Sequence, residues 1–173
     1  MNDKRKITVL AACIALGVAL GYLFAVVPNV ELVTTTVFLS GYLLGPLYGA
    51  LAGALTEAIY SSFNPYGAAP VHLWIAQVLS FALTGALGGW IAKCGIQHPV
   101  RQSITFGLSG LFCTAFYALA TSFAFFLMAG KTTEVLIAGL IQGMGFYIVH
   151  IISNTILFSA LLPILIKRLK KMI

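Results

Sequence analysis

The chain has 173 residues, of which 60% are hydrophobic and only 8% charged, with a mean hydropathy of +1.01. Soluble domains carry roughly 25% charged residues, so this composition excludes a soluble enzyme or binding module. It points to an all-α integral membrane protein of one domain, with room for about six spans of roughly 20 residues. The net charge of +6 does not mark a nucleic-acid binder, because nine of the ten basic residues fall in three places. These are Lys4-Arg5-Lys6, Lys93 with Arg101, and Lys167-Arg168-Lys170-Lys171, as the positive-inside rule expects of cytoplasmic flanks.

The first span is expected over 7–27, a retained helix and not a cleaved signal, because the apolar run is long enough to cross. Ala11, Ala15 and Ala19 recur every four positions, and Gly17 and Gly21 form a second such pair. Small-xxx-small faces let helices approach closely in lipid, either within the chain or against another membrane subunit. Spans two and three, 32–45 and 47–63, are short runs separated at Gly45-Pro46 and read as a hairpin through the membrane. Span four covers 72–92 and span five 103–128. Along span five a small and hydroxylated stripe, Ser103, Gly107, Gly110, Thr114, Tyr117 and Thr121, should face other helices. Span six covers 133–166, with Pro163 marking its cytoplasmic end. Six spans with both termini cytoplasmic leave 93–101 inside and 28–31, 63–71 and 129–132 outside, so only Lys131 is an outer basic residue.

The stretch from Glu57 to Gln77 is where this oily chain turns polar. Glu57, Tyr60 and Asn64 share one helical face, Asn64-Pro65 breaks the helix, and Tyr66, His72, Trp74 and Gln77 follow. The topology sets these beside Glu31 and Gln142 in the outer half, with Tyr147, His150 and Asn154 on a stripe descending from there. A carboxylate in a membrane helix is a functional hypothesis by default. For Glu57 the alternatives are a surface-seeking side chain or a pair with His72, and for His150 an interhelical hydrogen bond. Tyr60, Tyr66 and Trp74 would equally suit an aromatic belt, and Asn154 is read as structural. Convergence favours one binding site, since pockets combine aromatic walls with a few aimed polar groups.

No GxSxG, HExxH or Walker motif occurs, so no catalytic residue or cofactor is assigned. The scattered Cys13, Cys94 and Cys113 and three isolated histidines suggest neither a metal nor a disulfide framework. If the chain transports against a gradient, the energy comes from elsewhere.

With its size, span pattern, basic first flank, Ala11-x-x-x-Ala15 and the segment P-N-V-E-L-V-T-T-T-V-F-L-S-G-Y-L-L-G-P-L-Y-G-A-L-A-G, the chain resembles the substrate-binding S-components of energy-coupling factor (ECF) vitamin transporters. The resemblance implies a site built from spans four to six and the first outer loop, closed by the loop between spans one and two. It also implies docking of the Ala11–Ala15–Ala19 face on a membrane coupling subunit, with two cytoplasmic ATPase subunits as further partners. Glu57, Tyr66, Trp74 and Gln77 are carried as substrate contacts. The expected substrate is a vitamin or precursor with a flat heterocycle, a cobalamin-related molecule included. A self-sufficient oligomeric carrier or channel, and an intramembrane enzyme using Glu57 and His150, are the alternative readings.

Overall fold

Twelve residues with hardly a polar side chain beyond hydroxyls, Val33–Leu44, form a helix that is buried on every face except at Leu43. An apolar helix of that length, about 18 Å at 1.5 Å per residue, suits a bundle core better than a bilayer crossing of about 30 Å. The computed structural model describes residues 2–27, 30–64, 66–129 and 132–169. Among these residues it is all-helical: α1 Asp3–Phe24, α2 Val33–Leu44, α3 Pro46–Ser62, α4 Val71–Lys93, α5 Pro99–Met128 and α6 Thr133–Leu169. The central helix α2 touches all five others.

Among the described residues, four stretches are long and apolar enough to cross a membrane: α1, α4, α5 and Gly143–Leu169 of α6. The expected spans two and three are therefore the exception. Helix α3 has 17 residues, about 26 Å, and joins α2 through Gly45 alone, whose φ of 95° lies in the left-handed region that glycine tolerates. The two helices fold back on each other, since a Cβ added to Gly49 would lie 2.5 Å from the Cα of Gly41. The hairpin form is as the sequence suggests. The burial of α2 is not, because an apolar run reads the same whether lipid or protein surrounds it.

Glycines also set how close α4 comes to this hairpin. Gly85 packs its bare backbone on the carbonyls of Gly49 and lies under Gly41, and Gly53 meets the Phe81 carbonyl. Helices approach this closely only where no Cβ intervenes. At the basic end, Phe38 packs edge-on against Phe106 and Phe158, ring centroids 5.8 and 5.0 Å away, with Leu162 and Ile166 completing the cluster. That packing carries α6 through Pro163 to Leu169, so the proline does not end the helix where expected. Membrane helices tolerate proline because neighbours and local adjustments compensate for the missing N–H.

The α5 stripe faces inward as expected: Gly107 and Gly110 receive Ser159 and Phe158 of α6, and Thr114 and Thr121 are buried. A second cluster, Val33, Val37 and Phe81 with Tyr117 packed against it, lies toward the other end and supports the site.

Candidate functional site

Above this second cluster is a cavity of about 180 Å³ lined by Gly21 and Phe24 of α1, Glu31 of the α1–α2 connection, Glu57 and Tyr60 of α3, Phe81 of α4, Tyr117 of α5 and His150 of α6. Gly21 lets Tyr60 lie against α1, where its ring meets Tyr22 at 5.4 Å. Tyr117 stands edge-on to both Phe81, at 5.7 Å, and His150, at 5.8 Å. Four rings thus wall the cavity, and its polar side chains are two carboxyls, two phenol hydroxyls and one imidazole.

Glu31 organises those groups. Its carboxylate accepts from the Thr34 amide at 2.8 Å, from the Thr34 hydroxyl, from Asn154 Nδ2 at 3.2 Å, and meets His150 Nε2 at 3.3 Å. Burial pushes this carboxyl up, but the bond and charge of His150 and the two bonds from Thr34 outweigh it, so the group sits below the usual carboxylate range. Asn154 is wholly buried and also donates to Thr114 Oγ1 at 3.1 Å, tying the α1–α2 connection to α5 and α6. Glu57 is 2% exposed and accepts from Ser61 Oγ at 2.6 Å. It is paired with neither His72 nor His150, so the two side chains proposed for an intramembrane enzyme are not joined. Asn154 Oδ1 and Gln77 Oε1 are buried without a hydrogen-bond partner among the described residues. Buried acceptors of this kind call for a ligand or water.

Of the residues singled out in the sequence, Glu31, Glu57, Tyr60 and His150 come together here. Gln77 stands behind the wall, its Nε2 donating to the Tyr117 hydroxyl at 3.0 Å. The others lie elsewhere. Helix α3 stops at Ser62, and just past its end the Asn64 side chain accepts from the Tyr66 amide at 2.9 Å while still meeting Tyr60 of the cavity wall. Tyr66 is 76% exposed, its hydroxyl donating to the Ala25 carbonyl at the rim. Trp74 donates its indole N–H to Ser62 Oγ at 3.2 Å, and His72 is exposed. Tyr147 pairs with Ser122 at 2.7 Å in a separate apolar recess of about 340 Å³ between α5 and α6. The side chain of Gln142 lies outside the described residues. Tyr117, Phe81 and Phe24 were not singled out as ligand contacts. Only Tyr117 carried a signal, as the one ring in the α5 stripe.

The two small-residue stripes of α1 point in different directions. Gly17 and Gly21 are buried against Thr56 and Tyr60 of α3, whereas Ala11, Ala15 and Ala19 are exposed. No group of three metal-ligating side chains occurs among the described residues.

Comparison with curated proteins and with solved structures finds no match to this chain. A family model does match, over residues 1–171, and it is described as ECF-type riboflavin transporter, S component. That description names riboflavin, where the residues alone had left a cobalamin-related ligand open. The chain is thus a multi-pass cell-membrane protein, and it belongs to the family of ECF-type riboflavin transporter S components.

Proposed function

We propose that this chain binds riboflavin in the Glu31–Glu57 cavity and is the specificity subunit of an importer powered by a membrane coupling subunit and two ATPases. The observation that carries the reading is the convergence of two carboxylates and four aromatic rings on one cavity. Riboflavin has the complementary chemistry: a flat ring system for the aromatic walls, and imide N–H and ribityl hydroxyl donors for carboxylate acceptors. A cavity of about 180 Å³ is smaller than the roughly 300–1,000 Å³ usual for such ligands. Entry therefore requires the α1–α2 connection to move, and Glu31 is the residue that fastens it. Titration of the purified chain with riboflavin tests the reading.

The wall composition separates two aromatic substitutions. Tyr117→Ala removes a ring from the lining and should weaken riboflavin binding at least ~10-fold, about 1.4 kcal/mol. Trp74→Ala, away from the cavity, should change it less than ~3-fold, under about 0.7 kcal/mol. The reverse order in a flavin fluorescence titration would move the site toward the α3–α4 connection.

The chain works as a single domain whose termini are both cytoplasmic, on the strength of the nine-to-one charge bias. In a background with Cys13, Cys94 and Cys113 replaced by alanine, a cysteine at Asn64 should react with an impermeant thiol reagent in intact cells and one at Gln97 should not. Labelling at Gln97 alone would invert the topology.

Docking uses the exposed Ala11–Ala15–Ala19 face. Ala15→Trp should prevent co-purification with the coupling module while riboflavin binding by the isolated chain stays within ~3-fold of wild type, because close helix contacts tolerate no added volume. Normal recovery of the complex would assign the face to lipid.

A further inference from the structure

The end of the bundle away from the Glu31–Glu57 cavity is basic and holds almost no acid. Lys93 ends α4, Arg101 lies in the first turn of α5, and Lys167 and Arg168 lie in the last turn of α6. Between Glu57 and Glu134 the sequence has no acidic residue, and Asp3, which starts α1, is taken by Lys6 at 3.3 Å. Arg101 thus has no carboxylate partner among the described residues. A recess of about 460 Å³ opens beside it at the α4–α5 connection, with Gln97 and His98 also in its lining. A groove of about 370 Å³ follows between the two helices, walled by Leu87 and Ile91 of α4 and Leu108 and Phe112 of α5. Thr105 lines both, so the two are continuous. The Ser109 hydroxyl in the groove donates to the Thr105 carbonyl at 2.8 Å, so it is spent within the helix.

We infer that this continuous groove seats one anionic phospholipid of the leaflet at the basic end, its phosphate at His98 and Arg101 and an acyl chain along Leu108 and Phe112. Polarity changes along the groove in the order such a lipid requires, with a guanidinium and an imidazole at the mouth and hydrocarbon beyond. A guanidinium matches a phosphate with paired N–H donors. Arg101 to Phe112 is 11 residues along α5, about 17 Å at 1.5 Å per residue. One leaflet offers roughly 15 Å, half of a hydrocarbon core of about 30 Å. Trp90, half-exposed one turn before Cys94, suits the aromatic belt at that interface. Lipid also has access to the groove when a partner is docked. Helix α1, which carries the alanine face, touches α2 and α3 but neither α4 nor α5 among the described residues. Covering that face therefore leaves the α4–α5 groove in the bilayer.

The test is native mass spectrometry of the purified full chain in detergent, with equimolar phosphatidylglycerol and phosphatidylcholine of the same acyl chains. One phosphatidylglycerol should be retained per chain, at least ~5-fold over phosphatidylcholine, the effect of one basic residue at an anionic surface. Arg101→Gln should bring the two lipids within ~2-fold of each other, whereas Arg168→Gln, at the same end but on α6, should keep the preference. Leu108 is 61% exposed, so Leu108→Trp adds volume in the groove without disturbing the core. It should lower retention at least ~5-fold with Arg101 intact. A wild-type ratio below that value, a preference that survives Arg101→Gln, or one lost equally in Arg168→Gln overturns the inference. So does a smaller loss in Leu108→Trp, which would reduce the site to a headgroup contact. Displacement of the lipid by inorganic phosphate would assign the mouth to a soluble anion and overturn it as well.

Discussion

Gly85→Val is expected to yield no stably folded protein. A Cβ at this position runs into the Gly49 carbonyl oxygen and lies 3.1 Å from the Gly49 Cα, and both obstacles are backbone. A side chain can rotate away from an intruding methyl, but a helix backbone cannot, so α4 must separate from the α2–α3 hairpin. Overpacked cores lose roughly 1–3 kcal/mol even where side chains can adjust, against a total stability of about 5–15 kcal/mol. Separating α4 also opens the aromatic wall, because Phe81 lies one turn from Gly85 on the same helix. Gly145→Val is the matched control, since nothing lies within 4 Å of its would-be Cβ. Monodispersity and thermal midpoint in detergent compare the two. A Gly85→Val midpoint within about 2 °C of wild type, a change below roughly 1 kcal/mol for a chain of this size, would contradict the packing described.

Glu31→Ala should have the largest effect on binding. The carboxylate meets donors from three residues, and His150 and Asn154 lie 119 and 123 positions away in sequence. Hydrogen bonds to a charged group are worth roughly 1.5–3 kcal/mol each, and donors left buried without a partner add their own cost. Losing this hub frees the α1–α2 connection from α6 and removes an acceptor from the cavity. Riboflavin affinity should fall at least ~100-fold, about 2.7 kcal/mol. Glu31→Gln, which retains one acceptor oxygen, should lose less. A Glu31→Ala affinity within ~5-fold of wild type, about 1 kcal/mol, would mean that the connection is held by other contacts and that Glu31 meets no ligand.

How far these features can be seen in the sequence differs from residue to residue. Glu57 stands out because a carboxylate inside an apolar helix is costly wherever it lies, and His150 for a similar reason. The α5 stripe is visible because glycine and hydroxyl residues at helical spacing seek other helices. Glu31 is legible in the sequence as an outer-loop acid of the expected binding site, but not as its organising group. Its importance comes from partners more than a hundred residues away, which no local pattern records. Phe24 and Phe81 are invisible for another reason: a phenylalanine has the same composition signal toward lipid, core or cavity. Trp74 and Tyr66 drew the eye as aromatic residues in a polar stretch, yet the end of α3 at Ser62 turns that stretch away from the cavity and into the α3–α4 connection. The burial of α2 was hidden by the same ambiguity of apolar runs. It is the helix length, not its chemistry, that distinguishes a core helix from a span.

A flavin bound between Glu31 and Glu57 links the fold to transport. Its most direct test is a titration of riboflavin against wild-type protein and Glu31→Ala, followed by quenching of flavin fluorescence. The predicted result is one saturable site per chain in the wild type and a loss of at least ~100-fold in the variant. No saturable quenching in the wild type, or equal affinity in the two proteins, would contradict it.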